Sequence, residues 1–592
     1  MLPFLFFRVY HISMFNSYHM VFVNILTSFV LLCSLFIYRF IYPARKFNYL
    51  IVVILISFLP LVSLLRFGDY ESGDFNIHIY RSMAFFDALK DWQIMPSWPK
   101  DLNATYGYPL FIFLNPLPYY GISFFHLLGF SFIASTKLFL GISFIISGIG
   151  MYLWIQKMIR NSFAAYTSAV FYLFAPYHLV DLHFRATVGE TLFFAILPFE
   201  FLFLYQVSVK KNSFWIISSA IGYFLLFASH QAMAIFSSTM LFLYSFYLFL
   251  HQKMFLFKKI LYILLPFLLG IIISGYIWIP HVFLSRYTLV HILSSEVVSF
   301  PKLSELLFSP WRYGFLFQGP KGELSFAIGY IHLFILVLSI LMIINKRKIK
   351  RKNDFTFWFT VCLLITFLVT PFSYFIWKSI RIVNVAQFSS RLLLIVNLCI
   401  AVIAGCYVLN SKKKNLVFSL LFLVVFSTIL NWGHRRIIPQ ITDETLRQNL
   451  PLSTAQGEGL AYMGNSVWWK DTENLWISHI PDVHLEVKNE NIVAAQIKRT
   501  SINHQYITQS DSEITLKENT IYFPGWKVFV NYKRVPITIN NAVMEFKVPR
   551  GLSYINIVYQ DIGILFFSKV LTFVSFFLSI IFILRYFLYT KR

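Results

Sequence analysis

The sixteen residues from Gly68 to Met83, GDYESGDFNIHIYRSM, gather three carboxylates (Asp69, Glu71 and Asp74), an imidazole (His78) and a guanidinium (Arg81) in an otherwise apolar region. No acidic residue precedes Asp69. On a helix beginning near residue 74, Asp74, His78 and Arg81 fall at i, i+4 and i+7 and share one face. A carboxylate placed there can take a proton from a hydroxyl or hold a divalent cation, while the imidazole and guanidinium hold an anion. The same spacing also describes an interfacial helix capped at Gly73-Asp74, with Ile77, Phe85 and Ala88 lying along a membrane surface. A second stretch, YHLVDLHFRATVGETLFF, supplies Asp181, His183, Arg185 and Glu190, and a third, VAQFSSRLL, places Arg391 just inside an apolar run. A buried arginine needs an anionic partner, and a ligand's phosphate or carboxylate is a natural one. The alternatives are that Arg185 pairs with Glu190 and that Arg391 snorkels outward. His230, in ASHQAM, reads as a packed or interfacial histidine, and His281 and His291 lack the spacing of metal ligands.

These groups must be positioned by membrane helices. Of 592 residues, 58% are hydrophobic and 13% charged, and long apolar runs recur along most of the chain. The candidate spans are 21–40, 50–67, 132–155, 163–180, 191–208, 213–229, 232–250, 260–280, 326–344, 355–376, 391–409, 415–432 and 563–587. Fifty Lys and Arg against 26 Asp and Glu leave a formal charge of +24, but the basic clusters lie between spans. They therefore read as topology signals and attraction to anionic lipid rather than as a nucleic-acid surface. With Arg45/Lys46, Lys157/Arg160, Lys210/Lys211, Lys253/Lys258/Lys259, KRKIKRK, KKK and the terminal TKR all cytoplasmic, segments 68–107, 181–190, 281–325, 377–390 and 433–562 face outward. Six acids fall in the first of these segments, and Asp181, Glu190 and Glu200 follow, so the acids read as concentrated on the outer face. The four cysteines sit inside apolar runs and imply no disulfide framework, and the N-terminus shows no cleavable signal peptide.

The segment 108–130 is apolar enough to span, yet counting it inverts the charge pattern of everything after it. Its Asn-Pro-x-Pro interruption predicts a broken, re-entrant or interfacial element. From 481 to 560, alternating runs such as SEITLKENTIYF and WKVFVNY, separated by Pro-Gly, Asn-Asn and Arg-Gly, predict a small antiparallel β sandwich. The implied organisation is a transmembrane core over 1–435, with outer loops 68–107 and 281–325. A linker covers 436–480, an extracytoplasmic β domain 481–560, and a last transmembrane helix 563–588.

GDFNIHIYR, GYPLFIFLNPLPYY, YLFAPYHLVDLHFRATVGETL, LFSPWRYG, QFSSRLL and YFPGWKVFVN occur in an order that resembles bacterial membrane proteins labelled "6-pyruvoyl-tetrahydropterin synthase-related". That group is similar to the GT-C superfamily of polyprenyl-phosphate-dependent glycosyltransferases, and the resemblance covers nearly the whole chain. The pterin chemistry in the label would require a zinc-binding histidine trio in a compact α/β domain, which this sequence does not supply. The apolar runs imply an all-α polytopic bundle of about thirteen transmembrane helices, and the resemblance implies that it is GT-C-like and lies in a bacterial cytoplasmic membrane. It implies that a first-loop carboxylate activates the acceptor or holds a metal, a place matched best by Asp74 and next by Asp69. The NPLPYY segment from Asn115 looks like the Pro-Pro-Leu-Tyr-Tyr element that follows this loop in aminoarabinose and mannosyl transferases. Arg185 and Glu190 resemble the arginine and acid facing the loop from a later helix end. Two departures stand out: Ser389 and Ser390 replace the usual Pro-Trp before Arg391, and the usual adjacent acidic pair is absent, so metal use is not assigned.

The implied reaction is an inverting sugar transfer from a polyprenyl-phosphate donor to a glycan or protein acceptor. Asp74 would serve as base or hold a divalent cation, and His78, Arg81, Arg185, Glu190 and Arg391 would surround the phosphate. Membrane lipid is the other partner, nucleic acid is not one, and no cofactor is implied beyond that cation. Two rivals carry the same residues: a transporter or flippase for a lipid-linked glycan, and a membrane scaffold displaying the β domain. A translocation path needs ionisable groups at mid-membrane depth, and spans 213–280 and 355–432 carry almost none.

Overall fold

The computed structural model describes residues 17–289, 299–345, 349–379, 388–433, 437–453, 466–469, 477–487 and 494–590. His291 and parts of the 281–325 loop, the 377–390 loop and the 436–480 linker lie outside them. Among the described residues, nine helices are long and apolar enough to cross a bilayer, and two more apolar helices, Ser213–Ser229 and Tyr330–Ile344, are shorter. The chain is a polytopic membrane protein.

Thirteen apolar runs thus do not make thirteen uninterrupted spans. The 50–67 run divides into a helix, Tyr49–Ser57, and a 3-10 turn, Pro60–Leu65. The 163–180 run divides at Pro176 into Ser162–Leu173 and Pro176–Val180. Proline lacks the amide that continues a helix and its ring crowds the preceding turn, so hydropathy alone overestimates helix length at both places. The 108–130 segment forms two short helices, Leu110–Phe113 and Leu117–Leu127, with the break at Asn115-Pro116 that its sequence predicts.

The chain divides into two compact units. The first comprises 1–75, 136–270 and 297–441 and is helical, apart from the short strand pair Asp69–Tyr70 and Ile437–Ile438. Its innermost helix is Leu393–Asn410, buried from Leu393 to Tyr407 and packed against Ser162–Leu173, Tyr330–Ile344 and Lys352–Val369. A helix apolar on all sides belongs in an interior, and this one is enclosed by other helices. Glu200 corrects an expectation: it is fully buried, ten residues beyond Glu190 on the Val188–Lys210 helix. That places it about 15 Å further along the axis, away from the membrane face to which the sequence pattern assigns the acids.

The second unit comprises 76–135, 271–296 and 442–592. Its strands form two antiparallel sheets, one ordered Leu485–Val487, Ile514–Ile521, Val543–Val548, Thr538–Asn540, the other Ala495–Arg499, Asn503–Ser510, Gly551–Tyr559, Trp526–Val530, Lys533–Val535. Alternate residues point inward, and Leu516, Met544 and Phe546 of one sheet share a core with Val528, Ile555 and Ile557 of the other. Two hairpins turn on Asn531-Tyr532 and Asn541-Ala542, all four residues at positive φ. Two-residue loops of that kind match the twist of paired strands. The same core takes Trp98, edge-on to Trp526 with ring centroids 5.3 Å apart.

The Phe75–Lys90 helix, expected to lie along a membrane surface, is instead packed: Ile79, Met83, Phe85 and Ala88 are buried. Phe85 meets Phe111 and Tyr120 edge to face, at 4.9 Å in each case. The two short helices of the 108–130 segment cover the apolar face that a bilayer surface would otherwise have taken.

Candidate functional site: a buried arginine and carboxylate network

After Pro176–Val180 the chain widens into a π turn, Asp181–Arg185, and Ala186 then reverses in the left-handed region at φ 55° and ψ 41°. The next helix, Val188–Lys210, starts at once and presents Glu190 in its first turn. The extra residue in a π turn rotates the chain beyond it, and here Arg185 meets the start of the succeeding helix. Its Nη1 and Nη2 donate to Glu190 Oε2 and Oε1, both at 3.0 Å. Nη1 also donates to Asp181 Oδ1 at 2.8 Å and to the Tyr177 hydroxyl at 3.0 Å. Tyr177 in turn donates to Glu190 Oε2 at 2.9 Å. From 201 residues further along the chain, Arg391 donates through Nε to Glu190 Oε1 at 3.0 Å.

His230 completes the group. It caps the Gln231–Leu250 helix, Nδ1 accepting from the Met233 amide at 3.3 Å. That role leaves the ring proton on Nε2, which stands 3.8 Å from Glu190 Oε1. Burial, with the Arg391 charge next, pushes the His230 pKa down to about 4, so the ring is neutral near pH 7.

Two guanidinia and two carboxylates suggest balance, but the groups titrate unequally. Burial and the adjacent Glu190 push the Asp181 carboxyl well above the usual carboxylate range, against the pull of Arg185. Burial opposes the Arg185 charge too, yet Glu190, Tyr177 and Asp181 outweigh it and hold the guanidinium protonated. Two guanidinia and two carboxylates thus share one buried cluster, with Glu190 bonded to both guanidinia and Asp181 to Arg185 alone among the described contacts. Arg185 and Arg391 keep 16% and 13% of their side chains exposed.

The first loop docks onto the same turn. The Gly73 and Asp74 amides donate to the carbonyls of Phe184 and Arg185, each at 2.8 Å, and the Ser72 hydroxyl accepts from the Phe75 amide at 3.2 Å. Asp74 is thereby tethered by its backbone to the residue that grips Glu190. Asp69 is placed differently: it is fully buried in the strand pair with Ile437–Ile438, and its Oδ1 accepts from the Tyr70 amide at 2.6 Å. Lys137 ties this strand down through the Arg66 and Gly68 carbonyls, at 2.7 and 2.5 Å. Gly68 sits at φ 83°, where a Cβ would stand 2.5 Å from Pro439 Cα.

His78 and Arg81 belong to the second unit. There His78 Nδ1 lies 3.0 Å from the Tyr119 hydroxyl of the NPLPYY segment, and Arg81 is buried. Of the seven nominated residues, the first unit therefore brings Arg185, Glu190 and Arg391 into direct contact and holds Asp74 on the same turn. It keeps Asp69 apart in the strand pair.

Sequence reasoning does not nominate Tyr177, His230 or Lys137 for the site, and it names Asp181 as a member of the second charged stretch without giving it a role. Asp181 stands four residues before Arg185, the spacing of a helical ion pair, and a lysine inside FIASTKLFL is itself a signal for a buried hydrogen-bond anchor. Among the described residues no three His, Cys, Asp or Glu side chains converge as a metal requires.

Membrane spans and a charged cluster at the mouth of several of them define a polytopic membrane protein with a buried polar site. The chain belongs to the family described as 6-pyruvoyl-tetrahydropterin synthase related domain, a membrane protein family that it matches over residues 111–438. It is also similar to an uncharacterized protein of Lactococcus lactis subsp. cremoris (strain MG1363), 27% identical over 161 residues. That similarity covers 26% of each chain, so this chain spans about a quarter of the relative's length.

Proposed function

We propose that the chain is a glycosyltransferase that moves a sugar from a polyprenyl-phosphate donor to a glycan or protein acceptor at the outer face of a bacterial cytoplasmic membrane. The observation that supports this most is the meeting of Arg185 and Arg391 on Glu190, with Asp74 tethered to the same π turn. In the reaction, the acceptor oxygen attacks the anomeric carbon as the bond from that carbon to the donor phosphate oxygen breaks, inverting the centre. The hydroxyl proton passes to the Asp74 carboxylate, and the phosphate departs with the bonding electrons. Charge builds on that phosphate in the transition state, where preorganised guanidinia in a site of low water content stabilise it most. Glu190 aims both guanidinia. The GT-C resemblance agrees with this reading.

A scaffold reading is favoured by one observation, that Glu190 already receives donors on both oxygens. Purified protein in nanodiscs, given a radiolabelled polyprenyl-phosphate sugar and membrane glycan, separates the two. Asp74→Asn should lower transfer by about 100-fold or more with unchanged thermal unfolding. Wild-type turnover in that variant removes Asp74 from the chemistry. A wild-type protein that neither transfers nor binds the donor leaves the scaffold.

A further inference from the structure

A cavity of about 340 Å³ opens within the second unit, beside the end of the Phe75–Lys90 helix, the loop after it and the Asp443–Asn449 helix. Its volume falls at the small end of ligand sites, which run from roughly 300 to 1,000 Å³. Asp87, Asp91 and Asp101 line it together with Lys90, Lys100 and Arg447, and Leu450 and Pro451 supply an apolar side.

Most of these charges are held by the fold. Asp91 Oδ2 accepts the Ser501 amide and hydroxyl, both at 2.6 Å, and lies 3.7 Å from Lys100. Lys100 donates to the Arg499 carbonyl at 3.4 Å, and Arg447 is bonded to Asp87. Asp101 differs: only longer-range charge interactions with Lys100, Asp87, Arg499 and Arg447 bear on its carboxylate among the described residues. A half-buried carboxylate lining the cavity, with no donor of its own among the described residues, can accept from a ligand's hydroxyls.

We propose that this cavity binds an uncharged saccharide of one or two rings. Three negative and three positive side chains cancel, so the cavity has little net attraction for a phosphate or a simple cation. What it offers is acceptors and donors at close spacing on fixed walls. Adjacent sugar hydroxyls, each both donor and acceptor, satisfy that pattern. Asp101 takes the donors, Lys90, with 61% of its side chain exposed, supplies one in return, and the Leu450-Pro451 side accepts a ring's C–H face. The site shares no residue with the Arg185 group, and the inference stands with or without transfer chemistry.

The test is saturation-transfer NMR on the full chain in detergent micelles, with maltose, cellobiose and chitobiose as probes and no lipid donor present. At least one disaccharide should bind with a dissociation constant of about 1 mM or tighter. Asp101→Leu and Lys100→Met should each weaken it roughly ten-fold or more at unchanged thermal unfolding. Should Asp101→Leu fail to fold, the near-isosteric Asp101→Asn decides, with weakening again expected. Absence of transfer to all three sugars, binding indifferent to Asp101, or displacement of the sugar by inorganic phosphate would each overturn the proposal. Because the donor is absent, a negative result here leaves the transfer reading standing, and lost transfer with sugar binding intact overturns only that reading.

Discussion

Glu190 and Glu200 stand ten residues apart on one helix, both almost fully buried, and their surroundings could hardly differ more. Glu190, in the first turn, receives two guanidinia and a phenol. Glu200, in the middle of the span, receives one hydroxyl, Ser219 Oγ at 2.6 Å on Oε1, and its Oε2 has no hydrogen-bond partner among the described residues. A carboxylate's charge in a dry interior costs several kcal/mol unless a cation answers it. The first glutamate therefore has cations to answer a charge, and the second has none among the described contacts. Family membership alone does not separate the two roles; the partners do.

The largest effect should come from removing the charge at Glu190. Glu190→Gln leaves Arg391 facing an amide and Arg185 with Asp181 as its one remaining carboxylate among the described contacts. Breaking a buried pair in this way costs about 3–5 kcal/mol, read as a fall in midpoint in detergent unfolding. A loss below about 1 kcal/mol would mean that the guanidinia are solvated, and the contrast with Glu200 would vanish.

Gly222, on the Ser213–Ser229 helix, tests the other end. A Cβ there would lie 2.2 Å from Glu200 Oε2 and 3.2 Å from Phe203 Cδ2. Glycine to alanine inside a helix ordinarily gains up to about 1 kcal/mol. Crowding of a packed interface should instead make Gly222→Ala cost about 1–3 kcal/mol, measured by the same unfolding. A gain in stability would show that the Glu200 side chain swings aside freely.

How much of this is legible in the sequence depends on what each pattern encodes. The β sandwich is readable because a strand's inward face repeats every second residue, and 526–530 and 551–559 keep that alternation without interruption. Arg185, Glu190 and Arg391 are readable as charges that an apolar run must answer. The π turn and the left-handed Ala186 are not, because neither leaves a mark in residue type, and without them the fork onto Glu190 has no geometry. Tyr177 and His230 look like ordinary aromatic and capping residues until the fold brings them to that carboxylate. Glu200 is misplaced by a grouping of acids on sequence proximity to Glu190, whereas ten residues of helix separate them in depth.

A buried carboxylate outside the membrane spans extends the comparison. Glu518, in the β sandwich, accepts on Oε1 from His504 Nδ1 at 2.8 Å, Thr520 Oγ1 at 3.0 Å and the Tyr506 hydroxyl at 3.2 Å. Burial alone would raise its pKa, but His504 and the charges around it outweigh that and lower it below the usual glutamate value of 4.5. Burial, against the pull of Glu518, lowers His504 below 6.5. In both cases the unfolded chain binds the proton more readily than the folded one, so stability rises with pH through each window. Acidification should then loosen this domain in two stages, below 6.5 through His504 and below 4.5 through Glu518. Hydrogen exchange of strands Asn503–Ser510 and Ile514–Ile521 between about pH 7 and pH 4 reads this, and flat protection over that range would contradict it.

The smallest expected effect is the most discriminating. Glu200→Gln keeps the shape and keeps an oxygen to accept from Ser219, and it removes only a charge for which the surroundings offer no cation. If Glu200 is uncharged where it sits, the substitution should change stability by less than about 1 kcal/mol, in contrast to the same change at Glu190. A cost above about 3 kcal/mol would show that Glu200 is ionised and answered by a group outside the described contacts. It would also put a functional charge at mid-membrane depth, which is the feature a translocation path requires and a transferase at the membrane face does not. The pair of Glu→Gln substitutions on one helix thus tests the choice between the two activities as well as the energetics of burial.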